Sequence, residues 1–193
     1  MNQAFPELWI LRHGETEWNV LGRLQGLFDS PLTECGLAQA VRQREILKAA
    51  LPEQGVQAFS SPAKRALQTA EIAMDGRNCH IKTDPALQEI AIGGWSGMTV
   101  ADIKSANPNL EHSDDPHVWK FQAPDGERQE QMQTRLEGFL HRLEGPSVIV
   151  THGVTSRMLR CLVLGLDISN LSQVPGGQGM VHHIQGGQAE VLQ

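Results

Sequence analysis

Four short stretches of this chain carry side chains whose types and spacing could do chemistry. The first is Leu11-Arg12-His13-Gly14-Glu15-Thr16. A histidine on a turn after an apolar run, followed by a glycine that allows close backbone approach, is well placed to act as a nucleophile. Arg12 beside it presents a planar fork suited to phosphate or carboxylate oxygens. The second stretch, Ser60-Ser61-Pro62-Ala63-Lys64-Arg65, puts Arg65 in the first turn of a helix, beside free N–H groups and the positive end of the dipole. A cation there is misplaced unless an anion binds alongside, and a phosphate reverses the sign of that cost. The third is Thr151-His152-Gly153, where His152 can donate to the same anion and the helix beginning at Gly153 adds backbone donors. The fourth, Leu87–Gly97, holds Glu89 in a glycine-rich loop. A carboxyl group beside a phosphate dianion has its pKa raised by like charge, so it can stay protonated and serve a leaving group. Each stretch alone reads as ordinary structure. Together they describe a phosphate pocket of four donors with an acid at its edge.

Those residues must be positioned, and the pattern of elements says how. Leu8-Trp9-Ile10-Leu11 is an apolar run too short for a helix and reads as a buried strand. Thr33 caps a predicted helix through about residue 51, with Leu37, Ala40, Val41, Arg44 and Leu47 at helical spacing; Pro52 and Gly55 close it. Residues 56–59 form a second strand, and Ser61-Pro62 starts a helix running to about residue 75. A third strand is expected over 79–83 and a short helix over 99–106, ended by Asn107-Pro108. Residues 109–124 read as a polar surface excursion. A helix over 127–143 follows, then a strand over 147–150, a helix over 154–164 and a terminal strand pair within 180–192. Strands alternating with helices predict an α/β fold, a three-layer αβα sandwich with a central, mainly parallel sheet, spanning 1–193 as a single domain. In such sheets ligands bind beyond the carboxyl ends of the strands, which is where Arg12, His13, Arg65 and His152 fall.

Composition narrows the function classes. The chain has 193 residues and a formal net charge of −6, with 16 Lys and Arg against 22 Asp and Glu. An acidic protein without a basic tract is a poor match for nucleic acid or an anionic membrane. No apolar run approaches the roughly 20 residues of a membrane span, and no secretory signal is visible. Three widely spaced cysteines (Cys35, Cys79, Cys161) make neither a disulfide framework nor a zinc motif, which points to a reduced, cytoplasmic protein.

The motifs LRHGETEWN (11–19), GRLQG (22–26), DSPLTECG (29–36), SSPAKRALQTA (60–70), LQEIAIGGWSG (87–97), PDGE (124–127) and THG (151–153) occur in one order. In them the chain resembles the histidine phosphatase superfamily, the phosphoglycerate mutase-like proteins, in its cofactor-dependent mutase branch. The resemblance implies a phosphoglycerate mutase-like fold. It makes His13 the nucleophile that becomes phosphorylated, Glu89 the proton donor, and Arg12, Arg65 and His152 the phosphate pocket. Asn19, Gln25 and Gly153 become substrate-binding positions. Trp18, Trp95 and Phe28 read as packing residues, and Glu15 and Glu17 as supports.

By that resemblance the expected activity is a metal-independent phosphomonoesterase acting on a small phosphorylated metabolite, with no cofactor. Two alternatives stand beside it, a phosphoglycerate mutase and an inactive phosphoprotein-binding module. The mutase is disfavoured because residues 99–123 hold only Lys104 and Lys120 as basic groups among four acidic ones. The module would predict loss of a pocket residue, and all five are present. The expected partner is the metabolite alone, with the protein a monomer or homodimer. Departures from the family pattern are Arg128, where relatives often have Ser, and Pro175-Gly176-Gly177-Gln178-Gly179-Met180. His182-His183 reads as strand surface, and no metal site is expected there.

Overall fold

The computed structural model describes residues 5–108, 110 and 115–193. Six strands form one sheet in the order β3-β2-β4-β1-β5-β6. β1 (Leu8–Arg12), β4 (Ser147–Thr151), β2 (Gln57–Ser60) and β3 (Ile81–Thr83) run parallel, and β5 (Val181–Gln185) and β6 (Gln188–Leu192) add an antiparallel edge. The period-two alternation of a strand decides which side chain faces which layer. Leu8, Ile10, Ile149 and Ile184 point into one core with α5 (Gln129–Leu140) and α6 (Gly153–Leu164). Trp9, Leu11, Val148, Val150 and Val181 point into the other, with α2 (Glu34–Ala50) and α3 (Lys64–Ala73). Helices therefore cover both faces, which is the three-layer α/β arrangement, and β4 throughout and β1 as far as Leu11 are buried as near-continuous apolar runs.

Element boundaries differ from the sequence reading where a distant group intervenes. α3 begins at Lys64, not at Ser61-Pro62, and its N-cap Ala63 has no side-chain bond to offer. The cap comes from Asp29, whose carboxylate accepts from the backbone N–H of Lys64 (2.8 Å) and of Arg65 (3.3 Å). In α2 the buried face is Gly36, Ala40, Gln43 and Leu47, while Leu37 and Val41 are exposed. The helix is rotated from its apolar reading because Gln43 is drawn inward to donate to the carbonyls of Arg12 and Met180, both at 3.0 Å. α5 is shorter than expected, since Glu127 is held outside it by Arg135 and the carbonyl of Ala91. β3 is cut to three residues at the sheet edge. α1 (Glu17–Val20), a single turn closed by a capping box between Thr16 and Asn19, was not foreseen.

The stretch 109–124 is not merely a surface excursion. Residues 109 and 111–114 lie outside the described residues, but Val118–Gln122 forms a 3₁₀ turn that buries Trp119 and Phe121 in the α5/α6 core. Asp115 pins it, accepting from the backbone N–H of His117 and Val118 and, through its other oxygen, from that of Ser172. α4 (Val100–Ala106) leads into this segment and buries Ile103. Truncating Trp119 to alanine should therefore cost about 3 kcal/mol, read as a lower urea midpoint. A change below about 0.5 kcal/mol, the range of a surface substitution, would show that the turn does not anchor to the core.

Candidate active site

β1 and β4 are adjacent and parallel, yet the chain leaves β1 towards α2 on one face and β4 towards α6 on the other. A crevice must open at the carboxyl ends of two strands whose connections diverge in this way. Arg12 pairs with Thr151 at the last rung, and the His13 N–H donates to the Thr151 carbonyl at 2.9 Å. The turn after β1 is held against α2 by two glycines in contact. A Cβ on Gly14 would sit 2.2 Å from the Gly36 carbonyl oxygen, and one on Gly36 would sit 2.1 Å from that of Glu15. Only glycine at both positions allows this approach.

The His13 ring is buried, with Nδ1 2.7 Å from the Gly14 carbonyl oxygen. A carbonyl can only accept, so Nδ1 carries the hydrogen and Nε2 carries the lone pair. Arg65 Nε, a donor, lies 3.3 Å from Nε2 and requires the same tautomer. Burial, then the nearby His152, Arg12 and Arg65, hold the His13 pKa well below its ordinary value, so the ring is neutral.

The electrostatic misfit expected of Arg65 is resolved mainly by the protein itself. Its fork donates to Asp29 Oδ1 (2.8 Å), the Phe28 carbonyl (2.7 Å) and the Gly26 carbonyl (3.0 Å). Asp29 thus caps α3 and neutralises its arginine at once. Phe28 contributes that carbonyl while the residue is 57% exposed, and its ring packs edge-on against Trp18 at the surface, with centroids 6.5 Å apart. Trp95 does pack, tilted against Trp119.

His152 is fully buried behind His13, with ring centroids 5.2 Å apart and an edge-on geometry. Its Nε2 meets Ser61 Oγ at 2.7 Å, which gives Ser61 a role the sequence did not signal. Its Nδ1 has no hydrogen-bond partner, and neither does Arg12 Nε. Two buried polar nitrogens left open beside the His13 lone pair are groups that anion oxygens can meet.

Glu89 sits on the N-terminus of α6. Oε1 accepts from the Thr155 N–H and hydroxyl, both at 3.1 Å, and from the Ile90 N–H; Oε2 accepts from the Val154 N–H at 3.2 Å. Burial alone would raise its pKa, but these N–H groups and Lys120 outweigh burial and hold it below the usual carboxylate value. Glu89 is therefore ionised by its protein surroundings, because a helix N-terminus favours the charged form, and the raised pKa expected of it is a property of the carboxyl beside a phosphate dianion. Gly153 lies between Arg12 and Glu89, where a Cβ would make ordinary contact with both at 3.5–3.6 Å.

Asn19 and Gln25 both line the cleft. Asn19 Oδ1 accepts from the Thr16 N–H and from Gln178 Nε2, and Gln25 Nε2 donates to Thr16 Oγ1. Gln178 also donates to the His13 carbonyl at 3.1 Å, so the segment read as a departure from the family pattern closes over the turn after β1. More was missed. Lys120, His117, Arg23, Arg157, Arg160 and His182 join the lining of a cleft of about 150 Å³. Lys120 comes from the segment dismissed as acidic, so that segment does bring a cation to the site. His182 is buried at 3% exposure, not on the strand surface, while His183 stacks on Trp9 between Glu7 and Glu190. Arg128 is exposed, donating to the Phe121 carbonyl away from the cleft.

The family model described as histidine phosphatase superfamily (branch 1) matches residues 8–191. The chain belongs to the histidine phosphatase superfamily. It is 33% identical over 171 residues to phosphoserine phosphatase 1 of Hydrogenobacter thermophilus, covering 84% of this chain and 78% of that protein. It is 32% identical over 166 residues to the probable phosphoglycerate mutase GpmB of Proteus mirabilis, covering 83% and 75%. Among solved structures, Bacillus stearothermophilus YhfR superposes with a TM-score of 0.79 at 35% identity, covering 96% of this chain and 94% of that one.

As a histidine phosphatase, the chain concentrates neutral histidines in its cleft. Burial, then neighbouring cations, push down the pKa of His152, of His117 (to about 4) and of His182 (to about 3), as they do for His13. Their folded values lie below the unfolded one near 6.5, so the stability they confer is complete above pH ~6.5 and is lost as pH falls below it. Glu89, also depressed, adds loss only below the ordinary carboxylate value of 4.5. Urea unfolding should thus show stability dropping between pH 6 and 5 by about 1 kcal/mol per pH unit for each of these histidines, before the carboxylates titrate. A flat profile down to pH 5 would mean the histidines are free to ionise in the folded state.

Proposed function

We propose that this chain is a metal-independent phosphomonoesterase that hydrolyses a small phosphorylated metabolite through a phosphohistidine on His13. The observation that carries this reading is the locked tautomer: Nδ1–H bound to the Gly14 carbonyl and a lone pair on Nε2 among guanidinium groups. Residues 1–193 are read as one domain serving this site. Phosphorus binds in the cleft with its oxygens on Arg12, Arg65 and His152, and Nε2 attacks in line, forming the N–P bond as the P–O bond to the alcohol breaks. Glu89, ionised by its protein surroundings alone, gains a proton when the phosphate dianion adds like charge beside it, and passes that proton to the departing alkoxide. A water then gives a proton back to Glu89 and attacks phosphorus, the N–P bond breaks, and inorganic phosphate leaves. The developing charge is balanced by fixed donors, which is where most of the rate comes from in such transfers. Relatives named as phosphatases support the reading. A second reading, phosphoryl transfer within phosphoglycerate, gains from Lys120 in the cleft and from the relative named as a probable mutase.

The test is hydrolysis of p-nitrophenyl phosphate and of an alkyl phosphate in EDTA. His13→Ala should abolish both. Glu89→Gln should lose about 10²–10⁴-fold on the alkyl ester and far less on p-nitrophenyl phosphate, whose leaving group needs no acid. Equal rates for wild type and His13→Ala would overturn the nucleophile, and robust 3-phosphoglycerate isomerisation primed by 2,3-bisphosphoglycerate would favour the mutase.

A further inference from the structure

Two histidines stand side by side in the phosphoryl pocket, and each must present a different group to phosphorus. His13 needs a lone pair, which the Gly14 carbonyl secures by accepting from the other ring nitrogen. His152 needs a hydrogen, because a second lone pair there would repel the oxygens that Arg12 and Arg65 attract. A neutral imidazole has one nitrogen of each kind, so the partner of one decides what the other can do. For His152 that partner is Ser61.

β2 and β4 are adjacent and parallel, with Ser60 opposite Val150. Just beyond these strand ends, Ser61 and His152 meet although 91 positions separate them, and both are fully buried. Ser61 is itself held in place. Its N–H donates to the Val150 carbonyl at 3.0 Å, and its carbonyl accepts from the Ser60 hydroxyl at 2.9 Å. Its own hydroxyl oxygen accepts from the Ala63 N–H at 3.3 Å, at the N-cap of α3. A hydroxyl has one hydrogen to give. Among the described residues, the acceptor it meets is His152 Nε2, at 2.7 Å.

The reverse arrangement, with Nε2–H donating to the serine, would bury the hydroxyl hydrogen with nothing to receive it. Protonation of both nitrogens is opposed by burial first and then by Arg65 and Arg12, which push the His152 pKa well below its ordinary value. The single hydrogen of the ring is thereby left to Nδ1, the atom that has no protein partner.

We propose that Ser61 is a positioning residue that fixes His152 in its Nδ1–H tautomer, so that the ring meets the phosphoryl group as a neutral hydrogen-bond donor. The phosphoryl group comes from the phosphomonoesterase reading; the tautomer does not depend on it. The two rings, edge-on with centroids 5.2 Å apart, then carry the same tautomer for opposite uses. A carbonyl takes the Nδ1 hydrogen of His13 and frees Nε2, while a hydroxyl occupies Nε2 of His152 and frees Nδ1–H. A neutral donor orients an oxygen without adding a third cation to the pocket. An imidazolium at His152 could instead pass its proton to the His13 lone pair and quench it.

The test reads the tautomer directly. In imidazole nitrogen NMR spectra of the wild-type protein, the His152 ring, identified by its contacts with the His13 ring, should carry its hydrogen on Nδ1 and none on Nε2. Ser61→Ala should move hydrogen towards Nε2 and weaken inorganic phosphate binding, measured by calorimetry, by about tenfold to a hundredfold. Ser61→Cys, close in size and a weaker donor, should fall between the two proteins in both measurements. A hydrogen on Nε2 in the wild type would overturn the proposal, and so would an unchanged phosphate affinity in Ser61→Ala. If the wild type hydrolyses no ester, yet tautomer and phosphate affinity still change with Ser61, the phosphomonoesterase reading fails and the role of Ser61 stands.

Discussion

A histidine ring buried between guanidinium groups has no place for a second proton, and that constraint organises the cleft. His13 is neutral because burial and three neighbouring basic groups disfavour the imidazolium. Its remaining hydrogen is fixed on Nδ1 because the adjacent carbonyl can only accept. The ring is left with one lone pair, on Nε2, facing donors. Everything that holds the cations in position, from Asp29 under Arg65 to Gln43 under the Arg12 carbonyl, therefore also sets that lone pair.

The same economy governs the rest of the pocket. Positive charge is held by carbonyl oxygens from turns, which orient a guanidinium without neutralising it. Asp29 is the exception, and it serves a helix N-terminus that has no cap of its own. Glu89 is the mirror case, an anion held by the N-terminus of α6 in a cleft of cations. Its resting charge is thus a product of backbone geometry, and phosphate is the partner able to reverse it.

Much of the site was legible because it is built from strand ends. Arg12-His13-Gly14 and Thr151-His152-Gly153 follow apolar runs that can only be central strands, and a parallel sheet brings such ends to one rim. What was illegible came from elements whose local pattern points elsewhere. Lys120 lies in a polar stretch, and nothing in its neighbours announces that Trp119 and Phe121 carry it into the core side of the cleft. Arg157 and Arg160 interrupt an apolar helix and look like its solvent face. His182 alternates with His183 along a strand, and which of the two turns inward depends on the register with β1.

The sequence by itself determined the alternating strand and helix order, the burial of β1 and β4, and the place of the Arg12-His13-Gly14 turn at the end of β1, because these rest on local periodicity and short motifs. The tertiary structure alone decided the ionisation of Glu89, the partner of Arg65 and the second pair of arginines in the cleft. Each of these depends on groups far apart in the chain meeting within hydrogen-bond reach: Glu89 with the start of α6, Arg65 with Asp29, Arg157 with Gly176. Charge in a cleft is set by such meetings, because electrostatic fields and desolvation follow distance through space and not separation along the chain.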